Sequence, residues 1–367
     1  MKLSVLYLGK QGAGCVYTFE MVKELAFANI QLQVILSNQI ENKKRFQSDL
    51  NFKNIEYVWV STYRNSKIDF LIKSANVVKF LSIARKINKF DPDWIYIPML
   101  SLWAGMILPF VNKKKKIITT IHDVSQHLGE YDSFTEKIYK YVITRSEKLI
   151  TLTKDFIPLI AQKYGKQNTN ICWIKHANFN YYRPNTFNAK THITNKILFF
   201  GRIHKYKGIS VLLDSMKLIH QSNPEIKLRI AGNGNLSDED VKKITDLNDK
   251  VELINRWISN VEMYQFFEDI DIVLVPYIEA SQSGIIMLSY TFGKPVIVTN
   301  VGGLPEQVES TVGVIIPPKD SESLCYAVLN LYKNPQRILE MGDKAYSKTL
   351  TDFSWKNSVD KLISIIK

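Results

Sequence analysis

The chain has 367 residues, 46% of them hydrophobic and 23% charged, with a formal net charge of +13 at pH 7. These proportions exclude a disordered, collagen-like or disulfide-stapled chain, and the length exceeds what one typical core holds, so two domains are expected. The charge is uneven: residues 1–190 carry 28 Lys and Arg against 14 Asp and Glu, whereas residues 191–367 carry 20 against 21.

A basic first half calls for an anionic partner, and the basic segments lack the stacking aromatics of a nucleic-acid module, so a membrane surface is expected rather than DNA or RNA. Cys15, Cys172 and Cys325 are far apart and match no metal or disulfide pattern, which points to a reducing cytosol.

Met1 to Gly9 is too short and glycine-interrupted for a signal peptide and reads as a first buried strand over 2–8. The turn Gly9-Lys10-Gln11-Gly12-Ala13-Gly14 leads into a helix over 15–29, then strand 32–37, a basic loop at Asn42-Lys43-Lys44-Arg45, and strand 55–60. One long helix is expected over 68–90, with Phe70, Leu71, Val77, Val78, Phe80, Leu81, Ala84 and Ile87 as its apolar face. Trp94 to Asn112 has no charge and precedes Lys113-Lys114-Lys115-Lys116. Pro98 and Pro109 argue against a membrane span, so this segment reads as strand 94–98 and a short apolar helix. That helix and the lysine run are expected to touch a membrane peripherally.

Strand 117–121 ends at His122-Asp123, and helix 132–147, strand 148–152, helix 155–164 and strand 170–174 close the first series. His176–Asn195 is polar and turn-rich and reads as a linker. A second series follows: strands 196–200, 226–231, 251–254, 271–275, 295–298 and 313–316 alternate with helices 208–221, 238–247, 260–268, 284–292, 304–308 and 320–333. A last helix covers 354–366. The alternation predicts an α/β protein with two doubly wound parallel sheets, each with a crevice at its strand C-termini. The expected division is 1–185, 186–350 and a final segment, 351–367, whose helix crosses back to the first domain.

Residues of chemical interest cluster at strand C-termini. Gly201-Arg202-Ile203-His204-Lys205-Tyr206-Lys207-Gly208 sets two cations five residues apart on a loop that opens a helix. A guanidinium, an ammonium and free N–H groups at a helix start are the groups that hold a diphosphate. Gly12 and Gly14, His122-Asp123, Gly232-Asn233-Gly234, Ser281-Gln282-Ser283-Gly284 and Gly302-Gly303-Leu304-Pro305-Glu306 occupy the corresponding loops. Trp257, beside Ile258, lies either by a nucleobase or in the core. Asp123, His127 and Glu130 are candidates for placing an acceptor.

With these loops in order, the chain resembles the family 4 glycosyltransferases of the GT-B fold, two doubly wound Rossmann-like domains facing a central cleft. Gly201-Arg202 with Lys207-Gly208 is similar to the family's donor-phosphate loop, and Gly293-Lys294-Pro295-Val296-Ile297 with Gly302-Gly303-Leu304-Pro305-Glu306 to its second signature. Phe353-Ser354-Trp355 is similar to its C-terminal pattern. The resemblance implies a retaining transfer from a nucleoside diphosphate sugar, UDP before GDP, to a lipid-linked or growing envelope glycan at the inner face of the cell membrane, without cofactor or metal. No Asp-x-Asp triplet is read as placed to hold one.

Arg202, Lys207 and His122 would be catalytic. Gly12, Gly14, Gly201, Gly232, Gly234, Trp257, Ile258, Glu279, Ser281, Gln282, Ser283, Gly284, Ile285 and Glu306 would bind the donor. The family's second glutamate falls here at Leu288 or Ser289, neither acidic, and the loop matches a subset with Ser-Gln-Ser-Gly. That departure keeps open a sugar-nucleotide-binding subunit without turnover, or a nucleotide-sugar epimerase of the same fold.

Overall fold

The computed structural model describes residues 1–64, 66–124, 132–184, 187 and 191–367. The chain divides into two compact units, residues 1–175 with 355–367, and residues 176–354. Each is built on one parallel sheet.

The first unit holds β1 (Lys2–Tyr7), β2 (Gln31–Ser37), β3 (Ile55–Val60), β4 (Trp94–Ile97), β5 (Lys116–Ile121), β6 (Lys148–Thr151) and β7 (Ile171–Trp173), in the order β3-β2-β1-β4-β5-β6-β7. The strand order reverses between β1 and β4, which pair from Leu3 opposite Trp94. Strands buried on both faces read as nearly continuous apolar runs, as Leu3, Val5, Leu6 and Tyr7 do here.

The second unit holds β8 (Lys196–Phe200), β9 (Lys227–Gly232), β10 (Val251–Asn255), β11 (Ile272–Val275), β12 (Val296–Thr299) and β13 (Gly313–Ile316), in the order β10-β9-β8-β11-β12-β13. Its reversal lies between β8 and β11.

The division falls at 175/176 rather than 185/186 because the first residues of the expected linker are pinned inside the second unit. Asn178 Nδ2 donates to the carbonyls of Thr349 (2.8 Å) and Phe353 (3.1 Å), and Phe179 N donates to Thr291 Oγ1 (2.9 Å). The helix Trp355–Ile366 belongs to the first unit. Trp94 Nε1 donates to the Ile366 carbonyl at 2.9 Å, Ser358 Oγ to the Lys175 carbonyl, and the Trp355 ring meets the Tyr17 ring edge-on. Burying a side chain such as Trp355 contributes about 2–3 kcal/mol.

Three local readings differ from the structure. The helix expected over 68–90 is two helices, Lys67–Ser74 and Val77–Phe90, because Asn76 caps the second by accepting from Lys79 N. The basic loop at 42–45 opens a short helix, Lys43–Ser48, which Phe46 anchors by packing on Phe19. A helix absent from the sequence reading runs over Pro335–Leu350. Its proline is at the first helical turn, where no N–H is needed, and Asn334 Oδ1 accepts from Arg337 N.

More than half of the uncharged segment 94–112 is buried. Trp103, Ala104, Ile107 and Leu108 are buried among the side chains beneath β4 and β5. The helix Leu102–Ile107 therefore offers little to a membrane, contrary to expectation. Among the described residues no helix is long and apolar enough to cross one.

Candidate functional site

In the second unit three loops leave the C-terminal ends of β8, β9 and β11 and lock together through their backbones. Gly201 N donates to the Ala231 carbonyl and Ile203 N to the Asn233 carbonyl, both at 2.9 Å. Gly232 and Gly234 permit this: a Cβ there would lie 1.9 Å from the Gly201 oxygen and 2.0 Å from the Ile203 oxygen. Gly208 does the same on the other side, with φ +75° and its Cβ position 1.9 Å from the Pro276 oxygen. These glycines hold the loop carrying Arg202 and Lys207 between its neighbours. Asn255, not singled out from sequence, clamps Gly234 with two hydrogen bonds of 3.1 and 3.0 Å.

The cations meet two neighbouring tyrosines, Tyr206 and Tyr277. Lys207 Nζ sits over the Tyr277 ring, and Arg202 Nη2 lies 3.4 Å from the hydroxyl of Tyr206. Tyr277 is buried. Burial pushes its phenol up to about 12, a rise opposed by its bond with Ser283 and by the Arg202 charge. Ser283 Oγ donates to Tyr277 Oη at 3.3 Å. Tyr277 thus joins the cationic loop to the start of the helix Gly284–Thr291. It was missed because, two residues past the expected strand 271–275, it carries neither the charge nor the glycine that marked the other loop residues.

That helix start is partly occupied. Ser283 N donates to Gln307 Oε1 (2.9 Å) and Ile285 N to Ser283 Oγ (3.3 Å). Of the three N–H groups expected to face a phosphate, only that of Gly284 has no partner among the described residues. Gln307 returns a bond from Nε2 to the Ser283 carbonyl, and Ser281 accepts from Gly303 N. The Gly302–Glu306 loop is thereby fastened to the Ser281–Gly284 loop, with Gln307 as the clamp and its neighbour Glu306 exposed.

Glu279 is half-buried, its N–H directed at the Tyr206 carbonyl. Leu288 and Ser289 are buried, and Ser289 Oγ donates back to the Ile285 carbonyl, so neither stands in for a ribose-binding carboxylate. Gln282 Oε1 and His204 Nδ1 are buried without a hydrogen-bond partner among the described residues. Trp257 is exposed just beyond β10, which removes the core alternative, and Ile258 beside it is buried.

The first unit's site residues are described by themselves. Gly12 has φ +83°, and its N–H donates to Glu41 Oε1 at 3.0 Å. A Cβ on Gly14 would lie 2.5 Å from both Met99 Sδ and Tyr7 Oη. The turn is therefore filled by Tyr7, which also contacts Cys15, and burial pushes both groups above their ordinary pKa. Cys15 packs as a protonated thiol.

His122 Nε2 lies 2.9 Å from the Pro98 carbonyl and must carry the proton there, which leaves Nδ1 as an acceptor in the neutral ring. Burial lowers its pKa, so the neutral form prevails near pH 7. Asp123 is exposed, and His127 and Glu130 lie outside the described residues.

The chain does contain Asp-x-Asp triplets, and their acids other than Asp238 are engaged elsewhere. Asp91 pairs with Lys115 and Asp93 accepts from Lys2 N. Asp240 is bonded to Ser237. Asp269 binds Arg229 and Lys196, and Asp271 accepts from Thr194 and Tyr332.

Two family models match. "Glycosyl transferase 4-like" covers residues 4–153 and "Glycosyl transferases group 1" covers residues 194–334. An uncharacterized glycosyltransferase of Methanocaldococcus jannaschii is 26% identical over 175 residues, 47% of this chain and 44% of that one. The amylovoran biosynthesis glycosyltransferase AmsK of Erwinia amylovora is 25% identical over 197 residues, 50% and 48% of the two. The chain thus spans under half the length of these curated relatives. A crystal structure of Anabaena HepE in complex with UDP and glucose superposes with a TM-score of 0.71 at 15% identity, covering 99% of this chain and 98% of that one. At that identity the likeness speaks for the fold.

Proposed function

We propose, for a chain that belongs to the GT-B glycosyltransferases of the family 4 type, that it transfers a sugar, with retention, from a nucleoside diphosphate donor to a lipid-linked or growing envelope glycan. UDP is the preferred base, in keeping with the UDP bound by HepE, and the amylovoran relative supports a polysaccharide acceptor. The observation that carries the reading is the gathering of Arg202 and Lys207 around Tyr206 and Tyr277, with Arg202 at the Tyr206 hydroxyl, Lys207 over the Tyr277 ring, and Ser283 at the helix start bonded to the Tyr277 phenol.

As the bond from the sugar's anomeric carbon to the diphosphate oxygen breaks, negative charge grows on the leaving group. Arg202, Lys207 and the Gly284 N–H meet that charge. The acceptor oxygen bonds the same carbon from the same face, and its proton passes to the departing phosphate oxygen. His122 accepts a sugar hydroxyl at Nδ1. Gln282 Oε1, buried and unsatisfied, takes a donor hydroxyl in place of the missing glutamate. Trp257 lies against the nucleobase. The basic first half rests on anionic lipid at the inner face of the membrane, at about 1 kcal/mol for each cation near the surface.

The test is the mass shift of a defined lipid-linked acceptor incubated with the purified protein and a panel of UDP- and GDP-sugars. A shift with one donor supports the proposal. Donor binding without transfer or hydrolysis overturns it in favour of a binding subunit, and epimerised donor overturns it in favour of an epimerase.

A further inference from the structure

Part of the apolar face expected along 68–90 is open to solvent. Ile68 is 70% exposed, Leu71 66%, Ile72 67%, Val77 48% and Val78 71%. These side chains sit on the two short helices that meet at Ala75 and Asn76. Phe134, 48% exposed, adjoins them through Phe70, whose ring centroid is 6.4 Å away. Scattered exposed aliphatics are ordinary, but five within eleven residues form a patch that marks an interaction surface.

Cations border the patch. Along Val77–Phe90 the exposed positions Val78, Ser82, Arg85 and Lys89 recur at helical spacing, so one outer stripe turns from apolar to basic, with Lys86 exposed beside it. Asn88 then ties the basic end to the next segment: it donates to the Phe110 carbonyl and accepts from Asn112 N, next to the exposed Lys113 and Lys114. The helix Ser133–Arg145 exposes Lys137, Lys140 and Tyr141 and ends with Arg145 donating to the Lys113 carbonyl. The connections from β3 to β4, β4 to β5 and β5 to β6 carry all these residues, and right-handed crossovers place them on one face of the sheet. The acids of this layer are engaged: Asp69 pairs with Lys73, Asp91 with Lys115, and Asp132 caps its helix.

We propose that this layer of the first unit is a membrane-insertion surface, in which Ile68, Leu71, Ile72, Val77 and Val78 enter the acyl boundary of an anionic bilayer. Arg85, Lys86, Lys89, Lys113 and Lys114 stay at the headgroups. The proposal rests on the membrane reading above and adds to it an apolar anchor. Charge complementarity fixes the occupant: anionic lipid matches the flanking cations, whereas a second copy would set cations against cations.

The test uses the full chain with vesicles of phosphatidylcholine alone or mixed with phosphatidylglycerol. The variant Leu71→Ser/Ile72→Ser/Val78→Ser changes only exposed side chains, and circular dichroism verifies its fold. Retention of the wild type by the anionic vesicles, at least about a tenfold loss in the triple variant, and quenching of Val78→Trp by brominated lipid support the anchor. Undiminished retention of the triple variant overturns the anchor and leaves electrostatic docking standing. No retention of the wild type overturns the membrane reading and the anchor together. A wild-type dimer that the triple variant converts to monomer overturns the proposal in favour of self-association.

Discussion

The ammonium of Lys207 stands 3.6 Å from the centroid of the Tyr277 ring. That contact fixes a flexible side chain on a buried aromatic platform, so its charge is aimed before any anion arrives.

Arg202→Ala and Lys207→Ala should each slow transfer by about a hundredfold or more, in line with losing ~3 kcal/mol of stabilisation at a developing anion. Thermal unfolding should be little changed, because Arg202 is exposed and Lys207 half-exposed. Initial rates with saturating donor measure this, and near-normal turnover in both variants would refute the catalytic assignment.

On the proposed reading Tyr277 acts by positioning Lys207. Tyr277→Phe keeps the ring under Lys207 and loses only the bond to Ser283, so kcat should fall less than about tenfold. Tyr277→Leu removes the platform and should lower kcat well beyond that while donor KM changes less. Equal effects of the two substitutions would mean that the ring has no part in aiming the ammonium.

Gly234→Ala should cost about 2 kcal/mol or more, because its Cβ would fall 2.0 Å from the Ile203 carbonyl oxygen. Denaturant unfolding gives the number. Gly12→Ala is the contrast: nothing lies within 4 Å of its Cβ position, and the cost is only that of φ +83°. A Gly234→Ala protein as stable as the wild type would show that the loops are not locked as described.

His122 gives a pH dependence with a definite sign. Its folded pKa lies below the unfolded value of about 6.5, so the unfolded chain binds the extra proton first. Stability from this group is complete above that value and falls as pH drops through it toward the folded pKa. The variant His122→Gln should show a shallower loss of stability below neutrality. Identical slopes for the two proteins would remove His122 as a cause.

Much of the fold was legible because parallel strands buried on both faces leave unbroken apolar runs, and β8, β11 and β12 each announce themselves so. Arg202, Lys207 and the glycines around them could be picked out because charge and glycine are scarce at strand ends. What stayed hidden depends on distant partners. Nothing near Asn255 says that it will clamp Gly234, and nothing near Gln307 says that it will fill the Ser283 N–H. Pro335 reads as a breaker until Asn334 is seen to cap the helix it begins. Leu71 and Val78 carry core-type side chains at helical spacing, and nothing in their own stretch of sequence says that they stay exposed. The same apolar pattern serves a core and an exposed patch.

The last helix, Trp355–Ile366, completes a body whose other parts were made some 180 residues earlier in synthesis. Until it emerges from the ribosome, Trp94 and Tyr17 lack their final cover. The amino-terminal unit should therefore complete its fold only after the unit carrying Arg202 and Lys207 has been synthesised.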